Sequence, residues 1–186
     1  MRTLAVTENI TLDGSIEMLD DWFDPERQGT EDMGDLMEEV RRQDAAADGF
    51  LTGRRTFEDL RRFWRHRTDD PTGISEYLDH VDKYVVSSTM TDPAWEGTAV
   101  LAGDPVEEVR SLKERPGKDI VLTGSITLGH TLIRAGLVDE YRLFVYPVVQ
   151  GRGRRLFPDG FEIPRLRLVA ARTFRSGVVF LDHAVR

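Results

Sequence analysis

The sequence contains no cysteine and no long uninterrupted apolar segment. Without cysteine there can be neither a disulfide framework nor a thiolate metal site, which suits a reducing cytoplasm, and we expect a cytoplasmic protein. The longest apolar run, Leu143 to Val149, is far shorter than the roughly 20 residues that cross a bilayer. The first residues also lack the pattern of a signal peptide. These absences predict a soluble protein with no membrane partner.

Positive charge is also scarce, because 25 lysines and arginines face 33 aspartates and glutamates, giving a formal net charge of −8. Binding to a nucleic-acid duplex by counterion release requires a basic surface, so nucleic acid is not an expected partner. The four histidines are His66, His80, His130 and His183. They lack the paired spacing of metal ligands, so the sequence predicts no metal site.

The chain of 186 residues is long enough for one domain with a sizeable core, and we expect a single domain over residues 1–186. Short apolar strands alternate with helical patterns along most of it. Two further strands near the C-terminus flank Arg175-Ser176-Gly177, which is typical of a hairpin loop. The pattern predicts an α/β fold in three layers, with helices on both faces of a mostly parallel sheet and an antiparallel C-terminal hairpin.

The clearest unit runs from Asp119 to Pro147, where a strand, a Gly124-Ser125 turn, a helix and a second strand follow one another. Gly124 has no Cβ, so the backbone can approach a ligand closely, and Ser125 can cap the helix with its hydroxyl. The first N–H groups of the helix and its dipole favour a phosphate at this turn. The alternative is that the glycine serves only the strand-to-helix corner.

A second corner of the same kind carries Gly53, Arg54, Arg55 and Thr56 after a short strand. Arginine donors match the geometry of a phosphate, and Thr56 with Asp59 has the form of a capping box. The alternative is that both arginines are solvated residues at a helix start, where the helix dipole mildly disfavours them.

A third strand ends in three hydroxyl side chains, Ser87, Ser88 and Thr89. The carboxyl ends of parallel strands share one edge of the sheet, and ligands of α/β proteins bind outside that edge. The two glycine corners could therefore hold a pyrophosphate, while an arginine and the hydroxyl groups take an additional phosphate. The chain has no GxGxxG fingerprint, so an ordinary Rossmann site is not indicated.

Short motifs spread over nearly the whole chain resemble those of dihydrofolate reductases. They are Gly-Arg-Arg-Thr-Phe-Glu (53–58), Val-Ser-Ser-Thr (86–89), Thr-Gly-Ser (123–125) and Val-Asp-Glu-Tyr (138–141). Thr-Leu-Asp-Gly (11–14) and Pro-Val-Val-Gln-Gly-Arg-Gly-Arg-Arg-Leu-Phe (147–157) are closer to a sister group. That group comprises the reductase domain of bacterial riboflavin-biosynthesis deaminase-reductases and its stand-alone relatives. The resemblance implies a dihydrofolate reductase-like fold.

The resemblance also implies that NADPH binds across the strand ends. The implied cofactor residues are Gly53, Arg54, Arg55 and Thr56 at the phosphates, Ser87, Ser88 and Thr89 beside the adenosine and its 2′-phosphate, and Gly124 and Ser125 at the pyrophosphate. The cofactor would carry the hydride, and the protein would orient it and exclude water.

On the substrate side, the resemblance places Thr11 to Gly14 beside the nicotinamide and makes Asp13 the nearest catalytic candidate. Trp22 and Met37 are the predicted substrate neighbours. In dihydrofolate reductases the first helix supplies a buried carboxylate, but an ungapped count back from Gly53 reaches Met37 here. Asp35 is displaced by about 200° around the helix from that position. True dihydrofolate reduction is therefore not expected.

The sequence thus predicts an NADPH-dependent reductase of a small heterocyclic substrate, pterin-like or pyrimidine-like, or of a carbonyl compound. The alternative is a noncatalytic nucleotide-binding or dimerisation module on the same fold. The last hairpin and residues 151–157 could form a dimer surface, so we expect a homodimer.

Overall fold

The computed structural model describes residues 1–19, 21–24, 33–163 and 165–186. Within these ranges the elements in chain order are β1 (Leu4–Thr11), α1 (Gly34–Ala46), β2 (Ala47–Gly53), α2 (Arg54–Trp64), α3 (Ile74–His80), β3 (Asp82–Val86), β4 (Thr98–Leu101), α4 (Pro105–Glu114), β5 (Asp119–Leu122), α5 (Ile126–Arg134), β6 (Glu140–Tyr146), β7 (Leu166–Thr173) and β8 (Val179–Val185). No helix in this described part of the chain is long and apolar enough to cross a membrane.

All eight strands form one sheet in the order β4-β3-β2-β5-β1-β6-β8-β7. The strands from β4 to β6 pair in parallel. Strand β8 then pairs antiparallel with both β6 and β7. The structure thus confirms the predicted parallel sheet with an antiparallel C-terminal hairpin.

The helices cover both faces of this sheet, as predicted. Helices α4 and α5 pack on one face, where Val109 and Leu132 join the core cluster of Leu4 and Val6. Helix α1 packs on the other face against β6 and β8. Helices α2 and α3 share that second face and cover β2 and β3. Neighbouring residues of one strand contribute to opposite faces because the side-chain period of a strand is two.

A notch opens at the carboxyl edge of the sheet because β5 is shorter than its two neighbours. Strand β5 ends at Leu122, which pairs with Val6 of β1 and with Leu51 of β2. Strand β1 continues to Thr11 beside β6, and β2 continues to Gly53 beside β3. The end of β5 therefore leaves space between two longer strands, and the turn into α5 lies in that space.

Local signals in the sequence explain where α4 begins and where α5 ends. Asp104 caps α4, since its carboxylate accepts the N–H groups of Val106 at 3.0 Å and Glu107 at 3.1 Å. Pro105 is the first residue of that helix. Gly136 follows α5 with φ +66°, a left-handed conformation that glycine adopts without strain. Local residues therefore determine the start of α4 and the end of α5.

Candidate functional site

A cavity of about 950 Å³ lies over the notch and runs along the face that carries α1, α2 and α3. Side chains of α1 and α2 line its walls, and residues of β1, β2 and β5 line the side formed by the sheet. The turn from β5 into α5 closes it at the carboxyl edge of the sheet. This is where ligands of open α/β sheets bind.

The two strand-to-helix turns predicted to bind phosphate, at 53–56 and at 124–125, both open into this cavity. We call them the phosphate corners. Gly53 is the N-cap of α2, Ser125 is the N-cap of α5, and both residues line the cavity. Gly53 has no side chain with which to cap α2, and the side chain of Ser125 makes no bond to α5. The first N–H groups of a helix have no partner within that helix, and the dipole makes this end positive. Two helix starts are therefore directed at one anion-binding region.

The two corners are tied together by side-chain hydrogen bonds. The Ser125 hydroxyl accepts the N–H of Gly53 at 2.8 Å. The N–H of Ser125 in turn donates to the Thr56 hydroxyl at 3.0 Å. The prediction that Ser125 caps α5 with its hydroxyl was therefore wrong, because this hydroxyl bonds to the other corner.

The predicted capping box of Thr56 and Asp59 was wrong as well. Helix α2 already begins at Arg54, with Gly53 as its N-cap, so Thr56 lies inside the first turn. A capping residue must precede the helix, and here the hydroxyl of Thr56 accepts a bond from Ser125 instead.

Close packing at these corners explains the need for glycine at position 124. Gly124 has φ +57°, and a Cβ there would lie 3.0 Å from the Cγ2 atom of Thr56. Ser125 also has a positive φ of +47°, which is uncommon for a residue with a side chain. The bonds of Ser125 to Gly53 and Thr56 hold it in that conformation.

Arg54 and Arg55 lie exposed at the mouth of the cavity and belong to its lining. Neither arginine forms an ion pair with any residue that the structure describes. Two guanidinium groups without a protein counterion therefore stand beside two helix N-termini. This arrangement favours an anion with more than one phosphate.

The hydroxyl residues Ser87, Ser88 and Thr89 lie at the same edge of the sheet but outside the cavity lining. Ser87 uses its hydroxyl to accept the N–H groups of Thr89 at 3.3 Å and Met90 at 3.1 Å. Ser88 and Thr89 are exposed. Their assignment to the adenosine end of a cofactor stays a prediction.

Asp13 lies in the turn after β1, outside the cavity lining, and its carboxylate is saturated with hydrogen bonds. It accepts the Thr11 hydroxyl at 2.7 Å and the N–H groups of Gln150 at 3.1 Å and Gly151 at 2.8 Å. These bonds, led by that of Thr11, lower the pKa of Asp13 to about 2. The carboxylate therefore stays ionised near neutrality, and the geometry does not support the predicted catalytic role of Asp13.

Of the two predicted substrate neighbours, only Met37 lines the cavity. It is 3 % exposed and lies on α1. Trp22 packs against Phe23 and Tyr146 instead, and Phe23 is the residue of this aromatic group that reaches the cavity. Asp35 accepts the N–H of Arg175 at 3.0 Å and does not line the cavity, in agreement with its predicted offset from Met37.

A buried acid that the sequence reasoning missed lies in the notch itself. Glu8 of β1 is 2 % exposed and lines the cavity beside the turn into α5. Burial raises the pKa of Glu8 well above its ordinary value, and a hydrogen bond from the N–H of Gly124 opposes this only in part. Burial therefore favours the protonated carboxyl. The signal available in the sequence was a charged residue at the two-residue spacing of the buried Leu4, Val6 and Ile10.

A second missed acid, Asp44, lines the cavity on α1. It follows Met37 by seven residues, nearly two helical turns, and so lies on the same helix face. Burial raises the pKa of Asp44 to about 7. Tyr77 of α3 lines the same end of the cavity, and burial together with the negative charge of Asp44 raises its pKa. Helical periodicity counted from Met37 could have found this acid.

A sequence profile of the family described as the RibD C-terminal domain matches residues 2–180. The chain belongs to the RibD C-terminal domain family. The uncharacterised protein YyaP of Bacillus subtilis strain 168 is 39 % identical to this family member over 189 residues, covering 96 % of this chain and 92 % of YyaP.

Solved structures similar to this RibD C-terminal domain protein have the same fold. A pyrimidine reductase-like protein of Corynebacterium diphtheriae matches with a TM-score of 0.66 at 16 % identity, over 100 % of this chain and 92 % of the other. RibD of Acinetobacter baumannii matches with a TM-score of 0.64 at 17 % identity, over 100 % of this chain and 58 % of that protein. The fold is thus the predicted dihydrofolate reductase-like one, and family membership indicates a reductase of the riboflavin-pathway type.

Proposed function

We propose that this RibD C-terminal domain protein is an NADPH-dependent reductase of a small heterocyclic or carbonyl substrate. The observation that carries the proposal is the joint geometry of α2 and α5. Their two N-termini are tied by the Ser125 hydroxyl and open, beside two arginines, into one end of a cavity of about 950 Å³. The rest of that cavity is a largely apolar cleft large enough for a second molecule.

The residues present fit the cofactor. The N–H groups of Gly53 and Ser125 are already engaged inside the protein, so the pyrophosphate would meet the next N–H groups of α2 and α5. Arg54 and Arg55 would face the additional phosphate that distinguishes NADPH from NADH. When bound, NADPH supplies the hydride for the reduction.

The cleft beside the notch would hold the acceptor and exclude water. Met37 and Val40 of α1 line one wall, and Phe50 of β2 lines the side formed by the sheet. Phe23 covers the cleft from the segment after β1. Apolar walls remove solvent from the reacting atoms and orient a flat ring.

A reduction by hydride also needs a proton, and we assign this proton to the carboxyl group of Glu8. Glu8 is the acid that lines the notch beside Gly124, and its burial raises its pKa and so favours the protonated form. A general acid acts best when its pKa lies near the working pH, which an exposed carboxylate does not satisfy. Asp13, ionised and outside the cavity, does not meet this condition.

The proposal is tested by titrating the protein with NADPH and NADH and following the fluorescence of its three tryptophans and its melting temperature. The wild type should bind NADPH more tightly than NADH. Replacement of both Arg54 and Arg55 by alanine should raise the Kd for NADPH at least about tenfold, the loss of roughly 1.4 kcal/mol, and change the Kd for NADH less.

Arg110→Ala is the control, because this exposed arginine of α4 and its ion-pair partner Glu107 both lie outside the cavity lining. It should leave both affinities unchanged. If neither nucleotide binds, the reductase proposal is wrong. Binding of NADPH without its oxidation by any compound in a broad substrate screen would support the noncatalytic module instead.

We also propose that two copies of the chain associate through the C-terminal hairpin. Strand β7 is an edge strand of the sheet, and Leu168 and Val169 on it are 53 % and 46 % exposed. An exposed strand edge with apolar residues is suited to pairing with another chain. Light scattering at micromolar concentration should give the dimer mass, and a double Leu168→Lys and Val169→Lys variant the monomer mass. A wild-type monomer would contradict the proposal.

A further inference from the structure

The cleft ends, on the side away from the phosphate corners, in two polar side chains, Asp44 and Tyr77. We call them the floor pair. Asp44 lies on α1 about 10 Å further along the helix axis than Met37, since seven residues at 1.5 Å rise separate them. Phe50 and Ile74 line the cavity with the floor pair. An otherwise apolar compartment therefore has a polar end.

The floor pair is not satisfied within the protein. The Tyr77 hydroxyl is buried and has no hydrogen-bond partner among the residues that the structure describes. The Asp44 carboxyl likewise accepts no side-chain or backbone bond from the described ranges, and burial alone accounts for the raised pKa of this group. A buried hydroxyl such as that of Tyr77 normally has a partner, because leaving it unpaired destabilises the folded state. A ligand that reaches this end can supply the missing bonds.

The charge behind the floor pair is predominantly negative. A second cavity of about 570 Å³ lies on the other side and shares both residues of the pair. Its other ionisable residues are Arg41, Asp48, Glu76, His80 and Asp82. Asp48 is neutralised by an ion pair with Arg2. Glu76, Asp82 and Asp44 then face one arginine and one histidine, so the local field repels anions.

We propose that the floor pair is a subsite that determines substrate specificity. It accepts a hydroxyl or amino group at the distal end of the substrate and rejects a phosphate or a carboxylate there. The inference rests on the proposed function in taking the ligand of the cleft to be the substrate of the reductase. The substrate class is then a flat heterocycle whose tail is uncharged or cationic.

The chemistry of the two side chains supports this division. A phenol hydroxyl both donates and accepts a hydrogen bond, while an aspartate carboxylate accepts only. A hydroxyl or ammonium group can therefore satisfy both members of the pair at once. An anionic tail would lose its hydration and meet a second negative charge, and the weak screening in a buried site makes this repulsion strong.

The test uses three indole probes that differ only at the tail, namely tryptamine, tryptophol and indole-3-acetate. Their Kd values for the full chain are measured at pH 7.5 by ligand-observed NMR and calorimetry, without cofactor. The wild type should bind tryptamine and tryptophol at least about tenfold more tightly than indole-3-acetate. Asp44→Asn should reduce this ratio to below about threefold, because the repelling charge is removed.

Two further variants test the role of Tyr77 separately and control for the loss of a negative charge elsewhere on α1. Tyr77→Phe should weaken tryptophol about five- to tenfold through the lost hydrogen bond, while the rejection of indole-3-acetate persists. Glu38→Gln removes one negative charge from an exposed position on the same helix, outside the cavity lining, and should change no affinity. Circular dichroism and melting curves verify that each variant is folded.

An unchanged ratio in Asp44→Asn overturns the proposal. A wild type that prefers indole-3-acetate, or that binds none of the probes at millimolar concentration, overturns it as well. The NADPH titration on the same samples keeps the two proposals apart. If the protein selects among the probe tails but does not bind NADPH, only the proposal of an NADPH-dependent reductase is contradicted. If it binds NADPH but does not select among the tails, only the proposal of the specificity subsite is contradicted.

Discussion

Replacement of Asp44 by asparagine should make the protein more stable at alkaline pH and leave its stability almost unchanged in acid. The pKa of Asp44 rises from its ordinary 3.8 to about 7 because the folded chain buries the carboxyl group. Between about pH 4 and pH 7 the folded state therefore holds a proton that the unfolded state has lost. The free energy of unfolding of the wild type must then fall as the pH rises through this window.

The magnitude follows from the size of the shift. A tenfold change in a protonation equilibrium corresponds to about 1.4 kcal/mol, so a rise in the pKa from 3.8 to about 7 amounts to roughly 4 kcal/mol. Some solvent still reaches Asp44, which is only partly buried, and the expected penalty above pH 7 is therefore about 2–4 kcal/mol. Asparagine has nearly the same shape and no charge, so Asp44→Asn removes this penalty.

The assay is urea unfolding of both proteins at pH 4.5, 6 and 8. The difference in the free energy of unfolding, variant minus wild type, should grow by about 2–4 kcal/mol from the lowest to the highest pH. Glu38→Gln on the same helix is the control, and its difference should stay within about 0.5 kcal/mol. A difference for Asp44→Asn that is independent of pH would refute the inference that burial of this carboxyl controls its ionisation.

Three further substitutions test the rest of the site. Ser125→Ala should lower the free energy of unfolding by about 1–2 kcal/mol in urea titrations, because the N–H of Gly53 loses its acceptor; an unchanged value would contradict the tie between the corners. Asp13→Asn should lower the melting temperature at pH 7 but not near pH 2, where the wild-type carboxylate becomes protonated, and should leave the Kd for NADPH unchanged. Glu8→Gln should slow the oxidation of NADPH by an accepted substrate about a hundredfold with unaltered cofactor affinity; full activity would exclude Glu8 as the proton source.

The fold could be predicted from the sequence because its signals are local. Strand β6, Glu140–Tyr146, is the second strand predicted between Asp119 and Pro147, and it is a largely apolar segment buried on both faces. Helix α4 begins where an aspartate precedes a proline, and α5 ends at Arg134, two residues before Gly136, a glycine in the left-handed region. In each case residues close in the sequence determine where the strand or helix begins or ends, so the sequence pattern is sufficient to predict that element.

The site could be predicted only in part, because its hydrogen bonds join distant segments. The glycine corners were correctly placed at one cavity, since parallel strands bring them to the same edge. The Ser125 hydroxyl, however, bonds to Gly53, which lies 72 residues away in the chain, and no local pattern distinguishes this bond from a helix cap. The hydroxyls of Ser125 and Thr56 bond to each other's segment of the chain and not to the start of their own helix. This explains both incorrect capping predictions.

The acids of the site illustrate the same limit, because ionisation depends on surroundings that a motif does not contain. Asp13 was predicted to be catalytic from its place in the Thr-Leu-Asp-Gly motif (11–14). In the structure, however, two N–H groups from the distant segment at 150–151 help to hold its carboxylate ionised. Glu8 and Asp44 match no motif, yet burial raises the pKa of both. Only the packing of the sheet and helices reveals which carboxyl groups are protonated.

Burial raises the pKa of both Glu8 and Asp44, but their positions in the cavity suit them to different proposed roles. Glu8 lies in the notch beside Gly124, where the cofactor and the acceptor of the proposed reduction would meet, so its proton would be available there. Asp44 lies beside Tyr77 at the far end, and the second cavity lies behind it. A single cleft can therefore separate catalysis from recognition of the substrate tail. Because the acid near the reaction is not the one that selects the tail, substitution of Asp44 can change the substrate while the reducing end of the site is retained.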